Sequence, residues 1–334
     1  MNKRIKGFFL ASMLIGTTVW GVLAVYYGDS RTGLAQTCVA AAFGLFGFAV
    51  LTGVLWFRWR IQWVTGHLVV FIGILVWWLG IAPSNDRAWQ KDVSQLPYAT
   101  FDRDIVTVHN IRNFNYRTEF DYQPAYYDKS YDVSKLDDVD LFAFYWMGPA
   151  IAHTIISFNF GEQDHLAVSI ETRKELNEEY STLKGFFRQY ELIYVAADER
   201  DVIRLRSNYR KNTPEAGYLY RIKGSQKDGQ RLFLDYLKKI NELHEKPRFY
   251  NSLLDNCTTA IWVRSSVTTE HLPFSWKILL SGYLPEYLYE SKLLEQQLPL
   301  SELQRQAYIN SLAQAADQAT DFSERIRLIH TPRP

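Results

Sequence analysis

Cysteine is scarce in this 334-residue chain, with two in all, and there is no Cys-x-x-Cys, His-Glu-x-x-His, glycine-rich phosphate loop or Gly-x-Ser-x-Gly. Zinc, nucleotide and serine-hydrolase chemistry therefore lack their starting residues, and no metal or other cofactor is expected. Basic runs and aromatic-basic repeats are also missing. With 37 basic against 36 acidic residues, nothing electrostatic favours a nucleic-acid partner. Acid is nearly missing from the beginning: up to Pro83 the chain carries six Lys and Arg and one acid, Asp29, while 31 basic and 35 acidic residues follow.

Apolar residues fill that acid-poor stretch. Gly7 to Tyr27, Leu34 to Phe57 and Trp63 to Ala82 each approach the roughly 20 residues with which a helix crosses about 30 Å of hydrocarbon. The first follows Lys3, Arg4 and Lys6, but it exceeds a signal-peptide core and shows no small-residue cleavage site, so it reads as retained. Positive charge gathers before the first span and again at Arg58 and Arg60, whereas Asp29 offsets Arg31 in the loop between the first two spans. The positive-inside rule then puts the N-terminus and the second loop in the cytoplasm and exports everything after Pro83. Residues 1–83 read as a three-span anchor and 84–334 as an exported domain. His67, near the cytoplasmic end of the third span, is expected to reach the interface as a neutral imidazole rather than to serve a function inside the membrane.

The two cysteines fall on different sides of the hydrocarbon boundary, so they form no internal disulfide. Cys38 reads as packing in the second span. Cys257, unpaired in an oxidising compartment, is a buried small hydrophobe, an intermolecular disulfide partner or a nucleophile. Its surroundings resemble a helix start: Asp255 and Asn256 suit an N-cap, and Ala260, Ile261 and Val263 suit a helix entering a core. Cys257 would then occupy the first turn, where the dipole and free N–H groups favour a thiolate and can hold an oxyanion.

A thiol nucleophile needs a His base and a group to orient it. His109, His165, His244, His271 and His330 are available beside His153, which lies in the better context. Ala150 to Phe160 and His165 to Glu171 read as two strands around the turn residues Gly161 to Asp164. In the register that keeps Ile156 opposite Val168 and Phe158 opposite Leu166, Ser157 faces Ala167 and His153 faces Glu171. One face is then apolar and the other carries His153, Ser157, Asn159, Ser169 and Glu171. Glu171 could orient and charge-stabilise His153 as the third member of a triad. The plainer alternative is an exposed strand face with a cross-strand pair.

The exported part reads as mixed α and β, with no internal repeat and no linker long enough to split it. Strands are expected at Asp104 to Asn113, Val139 to Trp146, Glu191 to Ala196, Asp201 to Arg206 and Gly217 to Ile222. Helices are expected at Glu175 to Phe187, Gln230 to His244 and, on the surface, Ser301 to Arg327. The Tyr-rich run from Asn113 to Tyr131 could line a groove or sit at the membrane interface, and Asp198 to Asp201 reads as a solvated turn. The fold class is α+β: three transmembrane helices, then an antiparallel sheet with packed helices and a C-terminal helical extension.

Five blocks occur in order: Ala152-His153-Thr154-Ile155-Ile156-Ser157-Phe158, Ser169-Ile170-Glu171-Thr172-Arg173, Phe187-Arg188-Gln189-Tyr190-Glu191, Asp198-Glu199-Arg200-Asp201 and Asp255-Asn256-Cys257-Thr258-Thr259. Together, over roughly residues 100–265, they resemble the family named for the N-terminal periplasmic domain of Lnb, a bacterial lipoprotein N-acyltransferase. The family lies in the permuted NlpC-type branch of the papain-like superfamily. The resemblance implies a periplasmic domain held at the bacterial inner membrane. It also implies that Cys257, with His153 as base, takes an acyl chain from a phospholipid donor and passes it to a lipoprotein or other cell-envelope acceptor. Glu171 rests on the hairpin alone, and Asn256, Thr258 and Ser169 are candidate supports of the site. A cysteine amidase or peptidase cutting cell-wall peptides, and a non-catalytic binding module, are the competing readings.

Overall fold

The structure, a computed structural model, describes residues 3–28, 33–56, 60–161, 164–269 and 272–328. Asp29, Arg31, Arg58, the turn at Glu162 and Gln163, His271 and His330 lie outside the described residues, as do the side chains of Lys3, Arg4 and Lys6. Contacts divide the chain into two compact units: residues 1–87 with 174–191 and 248–252, and residues 88–173 with 192–247 and 253–334.

The first unit holds α1 (Lys3–Tyr27), α2 (Leu34–Trp56) and α3 (Arg60–Gly80), each long and apolar enough to cross a membrane. Leu14, Val50 and Val54 are buried at their centre. A Cβ on Gly47 would lie 2.3 Å from Thr18 Oγ1, so this glycine lets α1 and α2 approach closely. His67 does not reach an interface. It is fully buried, with Nε2 2.8 Å from Thr17 Oγ1 and its ring stacked on Phe43, so a hydroxyl inside the bundle replaces water as its partner.

Residues 174–191 carry no α-helix, contrary to the expectation for Glu175 to Phe187; turns and a 3₁₀ turn at Lys184–Phe186 replace it. Side chains claim backbone donors there: Ser181 N–H donates to Tyr190 Oη at 3.0 Å and Glu175 N–H to Glu178 Oε2 at 2.8 Å.

The second unit is built on β1 (Tyr98–Asp102), β2 (Ile105–Arg112), β3 (Asn115–Tyr116), β4 (Tyr122–Gln123), β5 (Tyr126–Asp132), β6 (Asp138–Tyr145), β7 (Ala152–Phe160), β8 (Asp164–Arg173) and β9 (Glu191–Ala197). After α4 (Glu199–Arg204) come β10 (Ala216–Ile222), α5 (Gln226–Glu245), α6 (Cys257–Arg264), α7 (Leu284–Glu290), α8 (Leu300–Ala307), α9 (Asn310–Ala315) and α10 (Phe322–Arg325). The large sheet has the order β1-β2-β9-β8-β7-β6-β10, with β5 also on β2. The ladders β1–β2, β2–β5, β6–β7, β7–β8 and β6–β10 are antiparallel, and Arg112 of β2 pairs with Ala197 of β9 in parallel. Hairpin β7–β8 takes the expected register, Ile156 with Val168, Phe158 with Leu166 and Ser157 with Ala167. The apolar face packs on α5, where the rings of Phe158 and Phe233 lie 5.2 Å apart. The polar face is covered as well, for every residue of β7 is buried, so the exposed-face alternative does not hold.

Two expected elements differ. Asp201 to Arg206 is not a strand: Asp198 caps α4 by accepting from Arg200 N–H, Glu199 and Asp201 favour its positive end, and a π-helical turn, Leu205–Tyr209, follows. The segment 198–201 is no solvated turn either, since Glu199 and Asp201 are fully buried. Ser301 to Arg327 is not one surface helix. It breaks at Tyr308, which bridges Tyr218 of β10, and Ile309, Ala313, Phe322 and Ile326 enter the main core. The Tyr-rich run is largely interior structure: Tyr116 and Tyr131 are buried, and Tyr116 donates to Asp201 Oδ1 at 2.9 Å.

Candidate active site

Cys257 is the first residue of α6. Asn256 caps this helix, its Oδ1 accepting from Thr258 N–H at 2.9 Å and Thr259 N–H at 2.8 Å, while Thr259 Oγ1 accepts from Asn256 N–H at 3.0 Å. This cap fixes the thiol at the helix N-terminus and consumes two donors that the sequence offered to an oxyanion. Ala260 N–H is taken by Asn256 O at 3.0 Å, which leaves the Cys257 N–H as the first-turn donor for a bound carbonyl. Thr258, fully buried, holds Oγ1 3.8 Å from Cys257 Sγ, and the thiol points at Ala152 O at 3.9 Å.

Strand β7 brings His153 beside that thiol. His153 Nε2 lies 2.7 Å from Ser169 Oγ and 3.1 Å from Glu171 Oε1, and Ser169 Oγ donates to Glu171 Oε1 at 2.7 Å. With Nε2 engaged, Nδ1 is the ring nitrogen left to exchange a proton with the sulfur. Burial raises the Cys257 thiol, but the hydrogen-bonding and charge of His153, helped by Thr154, outweigh it and bring the thiol down to about 7. Burial and Arg206 push the His153 imidazole down, yet Glu171 and Cys257 prevail and raise it above its ordinary value. Burial opposes the charge on Glu171 too, but His153, Arg206 and Ser169 hold its carboxyl well below the usual range. The three groups form a coupled thiolate–imidazolium–carboxylate arrangement.

The network extends past what the sequence indicated. Arg206, on the π-helical turn, donates to Glu171 Oε1 at 3.2 Å and to Glu215 Oε2 at 3.0 Å, and is itself buried. No motif marks Arg206, although it follows the Asp198-Glu199-Arg200-Asp201 block within one short element. Thr154, buried on β7 next to His153, is also new to the site. The structure brings Cys257, His153, Glu171, Ser169, Asn256 and Thr258 together. The other histidines go elsewhere: His109 pairs with Asp128 at 2.7 Å and His165 with Asn159 at 2.7 Å, while His244 packs on Tyr98. Among the described residues no group of three or more His, Cys, Asp or Glu could hold a metal ion.

No curated protein and no solved structure matches this chain. The family model described as the Lnb N-terminal periplasmic domain does match, over residues 122–282, a span that contains β5 to β10, α6 and every residue of the candidate site. This protein is therefore a membrane-anchored periplasmic module, similar over residues 122–282 to the Lnb N-terminal periplasmic domain.

Proposed function

We propose that this protein is a thiol acyltransferase of the bacterial inner membrane that carries an acyl chain from phospholipid to the amino group of a lipoprotein N-terminal Cys. The observation that carries the reading is a thiol brought to about 7 at a helix N-terminus, beside an imidazole that a carboxylate orients. Thiolate Cys257 attacks the ester carbonyl carbon; a C–S bond forms, the ester C–O bond breaks, and the departing glycerol oxygen takes the His153 proton. The acceptor amine then attacks the thioester carbon, giving its proton to His153 as the C–S bond breaks and Cys257 is restored. Glu171 keeps the imidazole oriented and balances its charge in both steps, and the Cys257 N–H faces the developing oxyanion.

Radiolabelled phospholipid in vesicles with the full-length protein tests this. A hydroxylamine-sensitive acyl adduct, absent in Cys257→Ser and passed to a lipoprotein peptide, is expected. Release of peptide from cell-wall fragments without an acyl adduct would instead make it a hydrolase. Full complementation of a deletion by Cys257→Ala would make it a binding module.

A further inference from the structure

Residues 174–191 and 248–252 belong to the compact unit of the membrane helices, and their packing there is specific. Phe187 is buried with its ring 6.2 Å from Trp20 and 6.3 Å from Tyr27 of α1, and its carbonyl accepts from Trp78 Nε1 of α3 at 3.4 Å. Arg188 stacks its guanidinium on Trp78 at 4.2 Å and donates to the carbonyls of Trp78 and Leu79, each at 3.0 Å, and of Ile81 at 3.3 Å. It thereby satisfies the unpaired carbonyls at the C-terminal end of α3 and offsets the negative end of its dipole. Arg188 takes φ of 62°, a left-handed conformation that a non-glycine residue adopts only where its surroundings demand it. A Cβ on Gly185 would lie 2.2 Å from Ser252 Oγ, and Ser252 Oγ donates to Thr182 O at 2.8 Å, so the two pieces close on each other.

The outside of this collar carries four large apolar side chains among the exposed polar Asn177, Glu179, Thr182 and Arg248. Leu176, Tyr180, Leu183 and Phe186 are 60%, 52%, 42% and 39% exposed. Large apolar side chains kept in water beside a membrane-helix terminus cost free energy that the headgroup layer would remove, and a Trp and an Arg at the same level are the usual interfacial anchors. We propose that the collar formed by 174–191 and 248–252 lies in the outer headgroup layer of the bilayer, with Leu176, Tyr180, Leu183 and Phe186 dipping among the lipids. The occupant of this surface is the membrane itself, because Phe187 and Arg188, next to Phe186 in the chain, pack on Trp20, Tyr27 and Trp78 of α1 and α3. The proposal does not depend on the acyltransferase reading, though it bears on it. In the sequence, Cys257 follows the last collar residue, Ser252, by five positions. Glu171 lies three residues before the collar resumes at Lys174.

The test places a photo-crosslinking residue in the full-length protein, Leu183→p-benzoylphenylalanine or Phe186→p-benzoylphenylalanine, in vesicles of phosphatidylethanolamine and phosphatidylglycerol. Leu45, exposed on α2, is the reference. Lipid adducts at 183 and 186 within about threefold of those at 45 are expected. Adducts at 45 with none at 183 and 186, or adducts there to protein instead of lipid, overturn the proposal. In a second arm, Leu183→Glu with Phe186→Glu is expected to lower acylation of Cys257 from vesicle phospholipid at least tenfold, with alkylation by water-soluble iodoacetamide unchanged. Crosslinks without acylation of the wild type would refute the acyltransferase and keep the collar. Acylation without crosslinks would do the reverse.

Discussion

Hairpin β7–β8 carries two buried polar clusters on one face, one toward its turn and one toward its open end. Toward the turn, Ser157 donates to Glu199 at 2.6 Å, and Arg327 bridges Glu199 at 2.7 Å and Asp140 at 3.0 Å. Asn159 and Arg221 complete Asp140 at 2.8 and 2.6 Å. Two carboxylates meet two guanidinium groups, and although burial disfavours its charge, Arg327, His165 and Ser157 bring Glu199 down to about 2. That cluster closes on itself. Toward the open end, Glu171 and Glu215 share Arg206, but the chain of contacts runs on through His153 to a sulfur that can gain or lose a proton. Similar residue types on one hairpin thus give fixation where two guanidinium groups answer the two carboxylates directly, and reactivity where the last partner titrates.

Breaking the closed cluster has the largest effect. Arg327→Met strands Glu199 in the interior and leaves Asp140 to Arg221 and Asn159, at a cost of about 3–5 kcal/mol read as a fall in the thermal midpoint of the solubilised protein, while Cys257 alkylation per folded molecule stays the same. Acid probes the same cluster. Because Glu199 is depressed from 4.5 to about 2, its contribution, on the order of 3 kcal/mol, is complete above 4.5 and lost as pH falls toward 2. In Glu199→Gln this part of the acid sensitivity of the thermal midpoint should disappear. At the open end, Glu171→Gln removes the carboxylate that raises His153, so the imidazole falls, the thiol rises by about one pH unit, and alkylation at pH 7 slows about fivefold. Asn256→Ala, the smallest of the four, costs about 1 kcal/mol of helix capping and releases the Thr258 and Thr259 N–H groups, measured as faster amide exchange at the start of α6.

The sequence was readable where the signal is local. Apolar alternation set the register of β7–β8, the Asn256 cap located the start of α6, and the stripe from Leu232 to Leu243 marked α5. Burial of the polar face was not readable, because Glu199 and Arg327 arrive from 42 and 170 residues beyond Ser157 in the chain. For the same reason Asp198 to Asp201 looked solvated and Arg206 carried no signal. Val202, Ile203 and Leu205 imitate a strand, and only the Asp198 cap contradicts it. In the C-terminal stretch the helical period continues through Tyr308, but pairing with β10 breaks it.

Reactivity at this site requires Cys257 and His153 to share a proton. The rate of Cys257 alkylation by iodoacetamide against pH, followed on its own peptide so that Cys38 does not interfere, measures this directly. The wild type should show a midpoint near 7, moving to 9 or above in His153→Ala, where the buried thiol loses its partner. A wild-type midpoint at 9 that His153→Ala leaves in place would contradict it.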